Sequence, residues 1–178
     1  MVLRAEALHF LGKDEGARQY DCCLHGGVFL RIGETVLSDG TDRDWCVSAS
    51  ALRFLRTLFD AHAAGEQEQM IPCCGNMMIP SEDGAQVTVI GCPNGVDFDV
   101  LPEGDEVRIR REGREWVVAR SAYRSAVLAF AGTVWNFVRS APPRRFYDDL
   151  DRDGFRAWER EMTALLARAS VPLRERRT

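Results

Sequence analysis

Strand-like segments follow one another directly in residues 96–118, with only short turns between them. Val96-Asp-Phe-Asp-Val100 alternates apolar and acidic residues, which places its apolar side chains on one face of a strand. Val107-Arg-Ile-Arg110 alternates in the same way, and Trp116-Val-Val118 returns after the turn Arg111-Glu-Gly-Arg114. Turns about ten residues apart are typical of an antiparallel meander. This spacing favours an antiparallel sheet over a wound parallel one.

The N-terminal part of the chain is also predicted to be rich in strands. Apolar-leaning runs at Leu8–Leu11, Gln19–Leu24 and Val28–Ile32 are separated by glycine-containing segments, among them Gly26-Gly27. In this interpretation Gly26-Gly27 is a turn, and the neighbouring His25 lies at the surface.

A central helix is predicted near residues 50–64, where apolar side chains recur at helical spacing. Ser48 or Ser50 is expected to cap its N-terminus by accepting backbone N–H bonds. Gly65 is expected to end it in a left-handed turn.

Two more helices are predicted between residues 121 and 170. The first begins at Ser121 and is stopped by Pro142-Pro143, because proline can neither donate a hydrogen bond nor continue the helix. Its Trp135 is expected to pack against the last helix, which carries an apolar stripe from Phe155 to Ala169.

The predicted fold class is therefore α+β, with antiparallel sheets, one central helix and two C-terminal helices. A length of 178 residues predicts a single domain over residues 1–178, strand-rich in 1–120 and helical in 121–170. A hydrophobic content of 46% is ordinary for a globular protein, and a chain of this size needs no metal or disulfide to hold its core together.

Charge and hydropathy exclude several classes of function. A net charge of −4 argues against a nucleic-acid-binding protein, which would need a basic surface to neutralise phosphates. The basic C-terminal residues Arg168, Arg174, Arg176 and Arg177 are interpreted as a solvated end. No signal peptide and no membrane-spanning stretch are evident, so the expected location is the cytoplasm, where cysteines stay reduced.

The cysteines are the candidates for metal chemistry. They stand at Cys22, Cys23, Cys46, Cys73, Cys74 and Cys92. Zinc takes four thiolate or imidazole ligands, usually from Cys-x2-4-Cys knuckles, and this chain has none. Neighbouring cysteines on a strand would point to opposite faces, so only one of each pair could reach a shared ion.

Two interpretations of these cysteines stay open. Free cysteine is commonly a small buried apolar residue, and on that basis no metal or other cofactor is predicted. The alternative is a thiolate-based zinc or redox site that draws on Cys22 or Cys23, Cys73 or Cys74, Cys92 and His25.

No catalytic residues are predicted. A cysteine nucleophile needs a base within hydrogen-bonding reach, and no local Cys-His signature supports one. The motifs of serine hydrolases, zinc proteases, and phosphate- and dinucleotide-binding loops are also absent. Asp97 and Asp99 could hold a metal, but Arg108 and Arg110 at the same spacing on the next strand favour cross-strand ion pairs.

Several segments together resemble small uncharacterised cytosolic bacterial proteins, some of which are similar to toxin-neutralising immunity proteins. These segments are Tyr123–Pro143, Gly154–Trp158, Ile71-Pro-Cys-Cys-Gly75 and Cys92-Pro-Asn-Gly-Val-Asp97. The resemblance implies no catalytic residues. Together with the missing motifs it predicts a non-enzymatic protein that binds a protein partner, and the mild acidity would suit a basic toxin.

Overall fold

The computed structural model describes residues 1–65, 68–75 and 77–171. Their helices and strands confirm the predicted α+β class, and all the strand pairings are antiparallel. In chain order the elements are β1 Val2–His9, α1 Glu15–Arg18, β2 His25–Ile32, β3 Thr35–Asp39, β4 Trp45–Cys46, α2 Val47–Arg56, β5 Met77–Pro80, β6 Val87–Ile90, β7 Asp99–Glu103, β8 Glu106–Arg111, β9 Arg114–Ala119, α3 Arg120–Ser140 and α4 Asp149–Ser170.

The strands form three sheets, which pack against helices: β2 against the central helix α2, the β5–β6 hairpin against α4, and β1 and the β7–β9 meander against α3. One sheet has the order β1-β2-β3, with the short β4 also paired to β2; β5 and β6 form a hairpin; β7, β8 and β9 form the predicted meander. Every residue of α2 from Val47 to Leu55 is buried, because β2, α3 and α4 all pack against this helix. A helix that is covered on all sides belongs to the core.

The prediction for the N-terminal part was wrong between residues 19 and 27. Gln19–Leu24 is not a strand. The short helix α1 ends at Arg18, and turn hydrogen bonds continue from it through Asp21. Gly26 and Gly27 lie inside β2 and form no turn. A Cβ on Gly27 would collide with the carbonyl of Gly40, and one on Gly26 with the carbonyl of Glu6. Close backbone packing, and not chain reversal, requires these glycines.

The central helix is shorter than the predicted span of residues 50–64. It begins after Cys46, so Ser48 and Ser50 lie inside it and cap nothing. Ser48 Oγ instead accepts a hydrogen bond from the backbone of Leu24 at 3.1 Å. Gly65 does not end the helix, because tighter turns follow Arg56 and lead the chain into the isolated bridge between His62 and Val100.

The predicted ion pairs between Asp97 or Asp99 and the arginines of β8 were also wrong. Arg108 and Arg110 both pair with Glu115, at 2.8 Å and 2.6 Å, because on β9 Glu115 stands opposite Arg110 and diagonal to Arg108. Asp97 precedes β7 and accepts hydrogen bonds from His62 and from the backbone of Met70.

Helices α3 and α4 close the structure. The rings of Trp135 and Trp158 lie 5.8 Å apart, which confirms the predicted packing of Trp135 against the last helix. The indole N–H of Trp158 donates to the carbonyl of Ser48 in α2. No helix in the described part of the chain is long and apolar enough to cross a membrane. Arg174, Arg176 and Arg177 of the predicted basic end lie outside the described residues.

Candidate metal centre

Three thiols come together next to the β5–β6 hairpin, where Cys73 and Cys74 precede β5 and Cys92 follows β6. The Sγ atoms of Cys73, Cys74 and Cys92 all lie within 4.8 Å of one another. We call these residues the thiol triad. The Sγ atoms of Cys73 and Cys74 are 3.8 Å apart, so the prediction that neighbouring cysteines point away from each other was wrong. The two residues lie in a loop, where side chains do not alternate as they do on a strand.

A buried arginine positions both segments that carry the triad. Arg53 of α2 is only 5% exposed, and its guanidinium donates to the carbonyl of Gln69 and to that of Val89 at 2.8 Å. Gln69 precedes the loop with Cys73 and Cys74, while Val89 belongs to the strand that leads to Cys92. Burial lowers the pKa of Arg53, yet the guanidinium stays charged because the ordinary pKa of arginine lies far above neutral pH.

Glycine allows these two segments to approach each other. A Cβ on Gly91 would collide with the carbonyl of Cys74, which lies directly against it. This approach brings the backbone N–H of Cys92 to 3.1 Å from Cys74 Sγ, to which it donates. Gly91 and Cys92 therefore both hold Cys74 in place. Gly91 packs directly against its carbonyl, and the backbone N–H of Cys92 donates a hydrogen bond to its Sγ. The pair Gly75-Asn76 is a turn signal in the sequence, but Asn76 lies outside the described residues.

The three sulfurs of the triad differ in how readily they ionise. Burial raises the pKa of Cys74, but hydrogen bonds from the Cys92 side chain and backbone and from Cys73 outweigh burial and lower it overall. Burial and the hydrogen bond with Cys74 raise the pKa of Cys73. The Cys74 side chain raises the pKa of Cys92 to about 11. Cys74 is thus the sulfur most ready to ionise, with two thiols beside it as donors.

The sulfurs of Cys23 and Cys46 form a second pair, which lies next to Gly75, the residue that follows Cys74. A Cβ on Gly75 would touch both of their sulfurs, so the lack of a side chain at this position makes room for the pair. Cys23 Sγ donates to the carbonyl of Gly75 at 2.5 Å, and Cys46 Sγ lies 3.5 Å from Ser48 Oγ. The interaction between the two sulfurs raises the pKa of Cys23 and lowers that of Cys46.

His25 is not at the surface as predicted, but buried in β2. Its Nδ1 lies 3.1 Å from the carbonyl of Asp44, and its Nε2 lies 3.5 Å from Asp21 Oδ2. Burial by itself lowers the pKa of His25, but the hydrogen bonds to Asp21 and Asp44 raise it to about 9. Both ring nitrogens are engaged, so His25 has no free lone pair for a metal.

A cavity of about 580 Å³ lies beside some of these groups. Its walls include five of the predicted site residues, which are Cys22, Cys23, His25, Cys73 and Cys74. Three carboxylate residues, Asp21, Asp44 and Asp151, and the thioether of Met78 share the same walls. Burial and the carboxylates of Asp151 and Asp21 raise the pKa of Cys22 to about 12, so this thiol is protonated.

The structure therefore divides the predicted site. Cys73, Cys74 and Cys92 form one group, whereas Cys23 pairs with Cys46 and His25 pairs with Asp21. Cys46 was not among the predicted site residues. Its neighbours Trp45 and Val47 give the ordinary pattern of a buried apolar run, so nothing local distinguishes it.

No family model, no curated protein and no solved structure matches this chain.

Proposed function

We propose that this protein binds a thiophilic metal ion through Cys73, Cys74 and Cys92, in the cytoplasm, where these thiols stay reduced. The observation that supports the proposal is the approach of three sulfurs to within 4.8 Å of one another. Thiolates favour zinc, monovalent copper and other soft ions over magnesium or calcium. Zinc, the alternative considered from the sequence, is the first ion to test.

The surroundings of the triad support binding over a purely structural role. Buried structural cysteines pack as isolated apolar groups, whereas the triad cysteines are half-buried and linked to one another through sulfur contacts. The hydrogen bond from the Cys92 backbone to Cys74 Sγ also stabilises a thiolate, the form that binds metal.

Metal titration of the reduced, metal-free protein tests the proposal. Cadmium and zinc, each added to the wild-type chain, are expected to bind with one ion per chain and to protect three thiols from alkylation. Cys92→Ser should weaken binding by about tenfold or more, because one ligand of three is lost. Cys22→Ser is the matched control, since Cys22 is half-buried but lies outside the triad. Equal binding by both variants would exclude the triad as the site.

The sequence-based prediction of a protein partner stays a second candidate. On the β5–β6 hairpin, Met77 is 47% exposed and Ile90, its cross-strand neighbour, is 44% exposed. Ile79 extends this apolar surface along β5. We propose as its partner the basic toxin of an immunity pair, which the net charge of −4 would attract. Protection of cells by the wild-type chain but not by Met77→Ser with Ile90→Ser would support this function.

A further inference from the structure

The number of donors in the triad limits which ions it can hold. Among the histidine, cysteine and carboxylate side chains of residues 1–65, 68–75 and 77–171, no fourth donor joins the three sulfurs. Structural zinc sites take four protein ligands, and the common catalytic zinc sites with three ligands include at least one histidine. The histidine that lines the same cavity, His25, has both ring nitrogens engaged by Asp44 and Asp21. An ion that needs only three sulfur ligands fits this set best.

Charge balance favours a trivalent ion. Three thiolates leave one negative charge on a bound divalent ion and none on a trivalent one. The cavity wall that carries Cys73 and Cys74 also carries Asp21, Asp44 and Asp151. A histidine lies near two of these carboxylates, His25 at 3.5 Å from Asp21 and His9 at 3.8 Å from Asp44. A divalent ion on three thiolates would add one negative charge beside this acidic wall, whereas a neutral complex of a trivalent ion adds none.

Resting on the function proposed above, we propose that the ligand of the triad is a trivalent, thiophilic metalloid, and specifically trivalent arsenic supplied as arsenous acid. In the complex one arsenic atom bonds to the sulfurs of Cys73, Cys74 and Cys92. Three As–O bonds break, three As–S bonds form, and the three thiol protons leave with the three hydroxyl groups as water. No electrons are transferred. The lone pair of arsenic occupies the fourth position, so no further protein ligand is needed.

The local structure suits this geometry. The three sulfurs belong to two backbone segments that Arg53 holds together from one side, through the carbonyls of Gln69 and Val89. The cavity lies along Cys73 and Cys74 and gives a small neutral molecule such as arsenous acid access from solvent. The sulfurs of Cys73 and Cys74 are already 3.8 Å apart before any ion draws them together.

Mass spectrometry of the reduced full-length chain incubated with arsenite tests the proposal. We expect a mass gain of one arsenic atom less three hydrogens, together with loss of three alkylatable thiols. Cys73→Ser, Cys74→Ser and Cys92→Ser should each weaken arsenite binding by about tenfold or more, while Cys22→Ser should not. Undiminished arsenite binding by Cys92→Ser would overturn the three-sulfur site.

A second probe keeps the test meaningful if a variant is damaged. Phenylarsine oxide carries one organic group and needs only two thiols, so Cys92→Ser should still bind it through Cys73 and Cys74. Binding of phenylarsine oxide with loss of arsenite would support the proposal. If cadmium or zinc binds the wild-type triad but arsenite does not, the metal-binding function stands and the choice of arsenic is overturned. If none of these ions binds, the proposed function fails as well.

Discussion

At the scale of single residues, Arg53 links the core to the candidate site. This residue of α2 is buried, and its guanidinium donates to the main-chain carbonyls of Gln69 and Val89, which are far apart in sequence. Without these bonds, two buried carbonyls would lose their partners, and the loop before the triad would lose its contact with β6.

Arg53→Met should therefore lower the free energy of unfolding by about 3 kcal/mol, since hydrogen bonds from a charged donor contribute about 1.5–3 kcal/mol each. Urea unfolding followed by circular dichroism measures this change. The control is Arg31→Ala, because Arg31 is exposed on β2 and its loss should shift stability by less than about 0.5 kcal/mol. Equal effects in the two variants would contradict the role of Arg53.

His25 should make stability depend on pH. Its pKa in the folded chain is raised to about 9 from an ordinary value of 6.5, so the folded state binds the proton more tightly. The stabilisation is fully present below about pH 6.5 and is lost as the pH rises through about 9. Unfolding free energies in reducing buffer should fall by about 2–3 kcal/mol between pH 6 and pH 9.5. His25→Gln should remove this part of the pH dependence. If the unfolding free energy of that variant falls with pH as steeply as that of the wild type, His25 is not the cause.

At the scale of elements, α4 holds the β5–β6 hairpin in place. Glu161 accepts hydrogen bonds from the Arg56 side chain and from the backbone N–H of Val87 in β6. Gly154 lies against the backbone of Met78 in β5, so closely that a Cβ at this position would collide with it. The hairpin that separates Cys74 from Cys92 is thus attached to α4 along both strands.

Gly154→Ala tests this attachment through the sign of its effect. In a free helix, alanine in place of glycine stabilises by about 1 kcal/mol, but here the methyl group would meet main-chain atoms that cannot move away easily. We expect Gly154→Ala to lower the free energy of unfolding. Gly132→Ala in α3 is the control, because nothing lies within 4 Å of its Cβ, and it should stabilise by about 0.5–1 kcal/mol. Thermal unfolding of both variants gives the comparison.

The elements also show which features could be predicted from the sequence. The meander of β7, β8 and β9 was predicted because period-two alternation and short turns are local properties. The glycines of β2 were misinterpreted as a turn, because the carbonyls that require them come from distant parts of the chain, Glu6 in β1 and Gly40 just after β3. The sequence indicated Cys73 or Cys74 and Cys92 as candidate ligands, but not that both neighbours would join Cys92 without Cys23 or His25. That grouping depends on the backbone of Cys92 reaching Cys74, which is a contact between distant parts of the chain.

At the scale of the whole molecule, a bound ion should couple to folding. Any ligand that binds the folded chain and not the unfolded one stabilises it, by about 2.7 kcal/mol at a hundred times the dissociation constant. The midpoint of thermal unfolding should rise with added cadmium in the wild type and in Cys22→Ser. Cys92→Ser should show a smaller rise, and an equal rise would place the ion elsewhere.

The arrangement of the triad along the chain has a consequence for that coupling. Cys73 and Cys74 are adjacent, so two of the three ligands are together whether or not the chain is folded, while Cys92 is 18 residues from Cys74. Only one loop has to close to complete the site, and that loop contains the β5–β6 hairpin. Two of the three ligands are therefore local in sequence. An unfolded chain can still bind an ion weakly through Cys73 and Cys74, and closure of the hairpin adds Cys92 as the third ligand.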